Sequence, residues 1–257
     1  MSFSGVVVET AMNVTFPSLM EEFQIGTSAV QWITTGYLLV LAVIIPTSSY
    51  LKKRFRMKTL FITAIVLFII GTVMAAVTPV FSLLLLGRLI QGVGTGIALP
   101  LMFNITLEQV PAEKLGLMMG TASLITAMAP AVGPSVGGFI VNHFGWRMIF
   151  VALLPLLILS FIMGVTSIRQ VSETRKAPFQ VLDYLFLAVG FACFIFATST
   201  ASSTGWASLP VAALFALSIL CLAVFYYICS HSKDPLIDVH VFHCLPFTLS
   251  VLVLVFI

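Results

Sequence analysis

GRLIQGVGTGIALP (residues 87–100) places an arginine, a glutamine and four glycines inside a stretch that is apolar on both sides. Leu83–Leu86 precede it and Leu101–Phe103 follow it. A charged side chain at the centre of a membrane helix costs about 2.5–3.5 kcal/mol on insertion scales. The stretch therefore indicates a membrane helix in which Arg88 needs a physical reason to be present.

The whole chain has the composition of a membrane protein. Its 257 residues are 60% hydrophobic and only 8% charged, whereas soluble domains carry about 25% charged residues. Apolar runs long enough to cross a bilayer recur along the chain, which indicates several membrane-spanning helices with a lipid bilayer as partner. The net charge of +3 comes from basic residues in short loops, so we expect no nucleic-acid partner. The four cysteines show no disulfide spacing.

The apolar runs and the basic loops together predict a topology. Eight spans are predicted at about residues 3–20, 28–50, 59–78, 81–106, 116–141, 147–168, 183–203 and 209–229. A ninth apolar run begins at Pro246 and stops at Ile257. Ten Lys and Arg residues lie in the loops after spans 2, 4, 6 and 8, and Arg147 alone lies on the other side. This bias places the ten, and the N-terminus, in the cytoplasm.

The glycines of residues 92–96 are predicted to pack helices rather than to bind nucleotide. GVGTG follows no strand, and the sequence has no G-x-x-x-x-G-K-[ST] loop. Glycines three or four apart in an apolar helix more often allow close helix contact, so Gly92 and Gly96 are packing candidates. We expect no cofactor, and a carrier driven by an ion gradient.

Two groups of polar residues share helix faces within the predicted spans. Arg88 and Gln91 are three apart, with Thr95 on the same face, and Glu9 and Asn13 are four apart. A carboxyl between apolar surroundings and an arginine can be balanced between its neutral and charged forms, which proton coupling requires. We therefore predict that Glu9 and Arg88 couple protons. The alternatives are a structural hydrogen bond for Glu9 and a surface anchor for Arg88.

Further candidates concern the substrate cavity and a possible metal site. The predicted cavity residues are Asn13, Trp32, Tyr37, Gln91 and Thr95. The alternative for Trp32 and Tyr37 is an anchor at the membrane interface. A metal site could be imagined at His231, Asp238, His240 and His243. H-x-x-H in a loop is a weak signal without further ligands, so we expect no metal.

Small residues recur in APAVGPSVGG (residues 129–138) at four-residue spacing. The stripe and its neighbours are Ala129, Pro130, Gly133, Pro134, Gly137 and Gly138. A stripe of this kind lets a partner helix pack closely, and prolines bend the helix that holds them. We expect either a hinge that permits alternating access or helix packing alone.

Four stretches together resemble the major facilitator superfamily, and in particular its fourteen-helix drug:proton antiporters with their lincomycin-resistance-like members. They are GVVVETAMNVTFP (residues 5–17), GRLIQGVGTG (87–96), APAVGPSVGG (129–138) and FGWRMIF (144–150). The third looks like the motif typical of antiporters. PLIDVHVF (235–242) also looks like the segment that leads into the family's second bundle.

The resemblance implies an all-α fold, with the family's N-terminal six-helix bundle, two additional helices and a truncated ninth span. The implied division is a six-helix bundle (1–168), a cytoplasmic loop (169–182), two linker helices (183–229), and a loop with the start of the second bundle (230–257). A full member of the family would continue with the second bundle, so a C-terminal bundle is an implied partner.

One departure from the family concerns the loop after the second span. The superfamily usually reads Gly-x-Leu-x-Asp-Arg-x-Gly-Arg-Lys there, whereas this chain reads SYLKKRFRMK (residues 49–58). Lys53 takes the place of the Asp, so a conformational latch built on that Asp cannot operate in the usual way.

The resemblance implies a secondary active transporter, not an enzyme, in a bacterial cell membrane. Its substrates would be drugs or other small amphipathic molecules, exchanged for protons. The alternatives are an exporter of a metabolite or amino acid, and a membrane fragment that transports nothing.

The charge asymmetry yields a direct test of topology. In a variant without its four cysteines, a cysteine introduced at Arg54 should react with a membrane-impermeant thiol reagent only from the cytoplasmic side. Labelling of intact cells from outside would overturn the predicted orientation.

Overall fold

The computed structural model describes residues 1–170, 174, 180–206, 208–232, 241 and 244–256, and the regular structure in these ranges is helical. The helices are α1 (Ser2–Val14), α2 (Phe16–Phe23), α3 (Thr27–Ile44), α4 (Ser48–Arg54), α5 (Met57–Val77), α6 (Phe81–Gln109), α7 (Ala112–Phe144), α8 (Arg147–Ser167), α9 (Val181–Thr204), α10 (Leu209–His231) and α11 (Leu245–Phe256). The predicted all-α fold is thus confirmed. Among the described residues, seven helices are long and apolar enough to cross a membrane.

The first predicted span, 3–20, is wrong as a single helix, because α1 and α2 meet at Thr15. Pro17 has no N–H, and its ring would clash with the carbonyl of Asn13, so the helical hydrogen bonds stop there. The hydroxyl of Thr15 donates to the carbonyl of Met12 at 2.7 Å and takes up one acceptor near the break. The break explains why seven helices, rather than eight, qualify as spans.

Two other helices differ from the predicted bounds. The helix predicted at 28–50 passes from α3 through a short 3₁₀ turn (Ile45–Thr47) into α4, where Pro46 interrupts the α-helical pattern. The helix predicted at 116–141 is longer, since α7 runs for 33 residues and is unbroken at Pro130 and Pro134.

The chain forms two compact units, Met1–Lys176 and Ala177–Ile257. The finer division predicted from the sequence stays a prediction. In the second unit α9 packs on α10. There the Ser218 hydroxyl donates to the carbonyl of Gly190 at 2.9 Å, and the Cys229 thiol lies 3.8 Å from the buried carboxylate of Asp183.

Within the first unit, helix α6 is packed tightly on two of its sides, against α5 and against α3. A Cβ on Gly94 would lie 2.6 Å from the carbonyl oxygen of Ala64 on α5. A Cβ on Gly96 would lie 2.8 Å from Ile44 Cβ on α3, and one on Gly92 would lie 3.2 Å from the Tyr37 carbonyl oxygen. Glycine therefore lets α6 approach both neighbours closely.

A polar cluster joins α2, α8 and the turn before α6 at one end of the first unit. Arg147 Nη2 lies 2.6 Å from Glu22 Oε1 and donates to the Thr78 carbonyl at 2.8 Å. The Trp146 indole N–H donates to the other oxygen of Glu22 at 2.7 Å. Arg147 and then Trp146 hold the pKa of the Glu22 carboxyl below its usual range, by hydrogen bonds to the charged form.

The α5–α6 contact generates a stability test at Gly94. Gly94→Ala places its methyl group against backbone that cannot rotate away, so we expect a loss of about 1–3 kcal/mol in the free energy of unfolding. Gly120→Ala on α7 is the matched control, because a Cβ there meets nothing within 4 Å. The control should be neutral or stabilised by up to about 1 kcal/mol. Equal thermal unfolding of both variants in detergent would contradict the tight packing of α6.

Candidate functional site

Arg88 lies inside the first unit, stacked on an aromatic ring. Its side chain is 0% exposed, and its guanidinium carbon lies 4.2 Å above the centre of the Tyr37 ring on α3. Its Nη1 donates to Gln91 Oε1 at 2.8 Å, one helical turn along α6. The predicted alternative, a surface anchor that reaches solvent, is therefore not the arrangement found. A buried cation is favourable here only because it is stacked and hydrogen-bonded.

The hydroxyl of Tyr37 connects three helices beneath the guanidinium. It lies 2.9 Å from the hydroxyl of Thr95 on α6 and 3.1 Å from the carbonyl of Gly5 on α1. Both Tyr37 and Thr95 are buried. A Cβ on Gly5 would lie 2.7 Å from the side chain of Thr95, so glycine at this position lets α1 lie close to Thr95 of α6. The Tyr37 ring is thus held in place by its hydroxyl, and its face is positioned for Arg88.

The guanidinium retains hydrogen-bonding capacity that is not used. Its Nε and Nη2 atoms are buried and have no hydrogen-bond partner among the described residues. Unsatisfied buried donors cost about 1–3 kcal/mol each, and more when they are charged. An unsatisfied buried group in a native protein calls for an explanation, such as a functional role or a bound water or ion. Arg88 therefore has two nitrogens, Nε and Nη2, that can donate to a further partner.

Glu9 is half-buried on α1, and Arg88 is the cation whose charge acts on its carboxyl. The two residues predicted to couple protons do not touch, however. Ion pairs within 4 Å join Lys52 to Glu108 and Arg147 to Glu22 in the described part of the chain, and neither includes Glu9 or Arg88. Their charges interact without a direct bond in this conformation.

The small-residue stripe of α7 packs against the helix that carries Glu9. A Cβ on Gly133 would overlap the hydroxyl of Thr10, and one on Gly137 would lie 2.8 Å from Ala11 Cβ. Ala129, Gly133 and Gly137 are buried, whereas Pro130 and Pro134 are exposed on α7. A Cβ on the half-buried Gly138 would lie 3.7 Å from Val14, an ordinary contact distance. The stripe therefore lets the α7 backbone lie directly against α1.

The predicted cavity residues fall into two groups by exposure. Tyr37, Gln91 and Thr95 are buried and bonded inside the unit. Asn13 is exposed and its side-chain oxygen accepts a hydrogen bond from Thr34 at 3.1 Å, while Trp32 is half-buried. A separate cavity of about 320 Å³ opens among largely apolar side chains of α1, α5, α6 and α7. None of the five predicted residues lines that cavity.

An ion pair that the sequence did not predict lies near the basic loop. Lys52 Nζ lies 2.8 Å from Glu108 Oε1 and 3.4 Å from Asn104 Oδ1, which joins α4 to the end of α6. The predicted span ended at residue 106, but α6 continues to Gln109 and so includes Glu108. Nothing in the spacing of Lys52 and Glu108 indicates that they meet, because they are on different helices.

Part of the metal prediction lies outside the described residues, namely Asp238, His240 and His243, as does much of residues 235–242. His231 is described, and its Nδ1 lies 2.9 Å from the carbonyl oxygen of Tyr227. No group of three or more His, Cys, Asp or Glu side chains with metal-binding geometry occurs in the part of the chain that the structure describes.

These features define a polytopic membrane protein whose first unit is a helical bundle around a buried arginine. The model of the Major Facilitator Superfamily matches residues 1–230. The chain therefore belongs to the major facilitator superfamily, a family of membrane transporters and not of enzymes. The resemblance seen in the four motifs is confirmed.

Curated relatives are known in several bacteria. The chain is 38% identical to the lincomycin resistance protein LmrB of Bacillus subtilis, over 97% of this chain and 53% of the relative. It is 29% identical to a multidrug resistance protein B homolog of Mycobacterium tuberculosis, over 91% of this chain and 44% of the relative. It is 28% identical to the putative multidrug resistance protein MdtD of Escherichia coli, over 94% and 51%. The chain thus spans about half the length of these relatives, and the match is to their N-terminal portion.

Proposed function

We propose that this chain is the N-terminal part of a proton-coupled exporter of drugs or other small amphipathic molecules. The observation that carries the proposal is Arg88, a buried cation with two unused donor nitrogens whose charge acts on Glu9 without a direct bond. The names of the relatives, which concern lincomycin and multidrug resistance, support export of small molecules. The orientation proposed is an N-terminus in the cytoplasm of a bacterial cell.

In the proposed mechanism, Glu9 gains a proton from outside and releases it inside. A charged Glu9 is attracted by Arg88, whereas a neutral one is not, so protonation changes the force between α1 and α6. The unused donors Nε and Nη2 offer the carboxylate a place to bind in another conformation. Such a change of contact is what a proton must produce if it is to drive a change of conformation.

Asn13 and Trp32 are the better substrate contacts of the five candidates, because they are the more accessible ones. Tyr37, Gln91 and Thr95 are assigned to holding Arg88 instead. The family architecture places the substrate between two bundles that rock around it. The proposal therefore requires a second bundle to complete the transport path.

The coupling role can be tested in a transporter in which this chain is followed by the second half of the Bacillus subtilis relative. A chimera is first selected that moves a cationic dye in liposomes under a proton gradient. The Glu9→Gln chimera should be present in the membrane at the level of the parent chimera. It should lose gradient-driven dye movement, because the amide cannot carry the proton. Arg88→Lys should also impair movement, since the ammonium lacks the planar fork of donors.

Glu21→Gln is the matched control, because Glu21 is an exposed carboxylate in the last turn of α2. It should leave dye movement unchanged. Normal gradient-driven movement with Glu9→Gln would remove Glu9 from the mechanism. The 257-residue chain alone should move no dye, and gradient-dependent movement by it would show that no second bundle is required.

A further inference from the structure

A threonine on α5 ends a chain of hydrogen bonds that begins at Arg88. Arg88 Nη1 donates to Gln91 Oε1 at 2.8 Å, and Gln91 Nε2 donates to Thr72 Oγ1 at 2.8 Å. The Thr72 hydroxyl then donates to the carbonyl of Phe68 at 2.7 Å. All three side chains are 0% exposed, so no solvent replaces a lost member of the chain.

The direction of this chain is fixed by chemistry. The carbonyl of Phe68 can only accept a hydrogen bond, so in this contact the Thr72 hydroxyl is the donor and its single proton is used. The hydroxyl oxygen is then left as an acceptor, and only the amide N–H₂ of Gln91 can satisfy it. The amide oxygen of Gln91 must consequently point towards Arg88, which has donors alone. The guanidinium and the Thr72 hydroxyl therefore favour the same orientation of the Gln91 amide and hold it from both ends.

The helices are close enough for this chain because two glycines face each other beside it. A Cβ on Gly71 would lie 2.5 Å from the carbonyl oxygen of Gly87, and a Cβ on Gly87 would lie 2.9 Å from that of Gly71. Gly71 immediately precedes Thr72, and Gly87 immediately precedes Arg88. The contact between α5 and α6 therefore brings the hydroxyl within reach of Gln91.

We propose that Thr72 is a positioning residue for Arg88, and that it acts through the orientation of the Gln91 amide. The inference rests on the proposed function only in giving Arg88 a coupling role. Thr72 holds the guanidinium flat on Tyr37 with Nη1 occupied, so that Nε and Nη2 stay free for a partner. Without the hydroxyl, Gln91 Nε2 loses its acceptor, so the amide is no longer held in place and its bond to Arg88 Nη1 weakens.

The test reads the guanidinium directly. The whole 257-residue chain is labelled with ¹⁵N-arginine, placed in lipid bilayers and studied by solid-state NMR. The signals of Arg88 are assigned by their disappearance in Arg88→Lys. A guanidinium held at Nη1 should give separate Nη1 and Nη2 signals, because rotation about the Nε–Cζ bond is stopped. In Thr72→Val, which has nearly the shape of threonine, the two signals should merge into one.

Two further variants decide between positioning and simple packing. Thr72→Ser restores the hydroxyl and should restore both signals, whereas Thr72→Ala removes it without added bulk and should merge them. Thr63→Val is the matched control, since Thr63 is an exposed threonine on the same helix. It should leave the Arg88 signals unchanged.

Separate, unshifted Arg88 signals in folded Thr72→Val or Thr72→Ala would overturn the proposal. Loss of the whole folded spectrum in both variants, including the Arg147 signals, would also overturn it, because the hydroxyl would then support the fold rather than Arg88. In the two-bundle transporter, dye movement should fall in Thr72→Val and recover in Thr72→Ser. If Glu9→Gln leaves dye movement intact, the proposed function fails, while the NMR result stands independently.

Discussion

The contact between the Arg88 guanidinium and the ring of Tyr37 is the interaction on which the first unit depends. A buried charge destabilises a protein unless other groups replace its water. Tyr37 supplies a π-face at 4.2 Å, and Gln91 supplies an oxygen at 2.8 Å. These two side chains come from α3 and α6, and the Tyr37 hydroxyl extends the arrangement to α1 through Gly5. Four helices are therefore arranged around one cation once Thr72 of α5 is included.

The glycines at the helix contacts serve the same arrangement, because they let the partners of Arg88 come close enough to bond. Side chains as short as those of Thr72 and Thr95 reach their partners only where helix backbones approach closely. Gly71 and Gly87 permit this between α5 and α6, and Gly5 permits it between α1 and α6. The stripe of α7 does the same for the α1 backbone at Thr10 and Ala11. Glycines thus set the distance between α1, α5, α6 and α7 wherever these helices touch closely.

The sequence predicted those features that lie within one helix. The spacing of Arg88 and Gln91 places them on one face, and their hydrogen bond follows from that spacing. The sequence did not predict the partners across helices, such as Thr72 for Gln91 or Glu108 for Lys52, because spacing within a helix does not say which helix lies opposite. The break at Thr15 could have been predicted from the sequence, because Pro17 interrupts helical hydrogen bonding. A sequence signal for Thr72 is its position directly after Gly71, because a glycine in an apolar helix indicates close contact with another helix.

Tyr37 and Arg88 are expected to stabilise the bundle together rather than separately. A double-mutant cycle of Tyr37→Leu and Arg88→Met, followed by SDS-driven unfolding in bicelles, measures this coupling directly. A desolvated cation–π pair predicts a coupling free energy of about 2 kcal/mol, with the double variant less destabilised than the sum of the two single variants. A coupling free energy of zero, with additive losses, would contradict the account, because the ring and the guanidinium would then contribute independently.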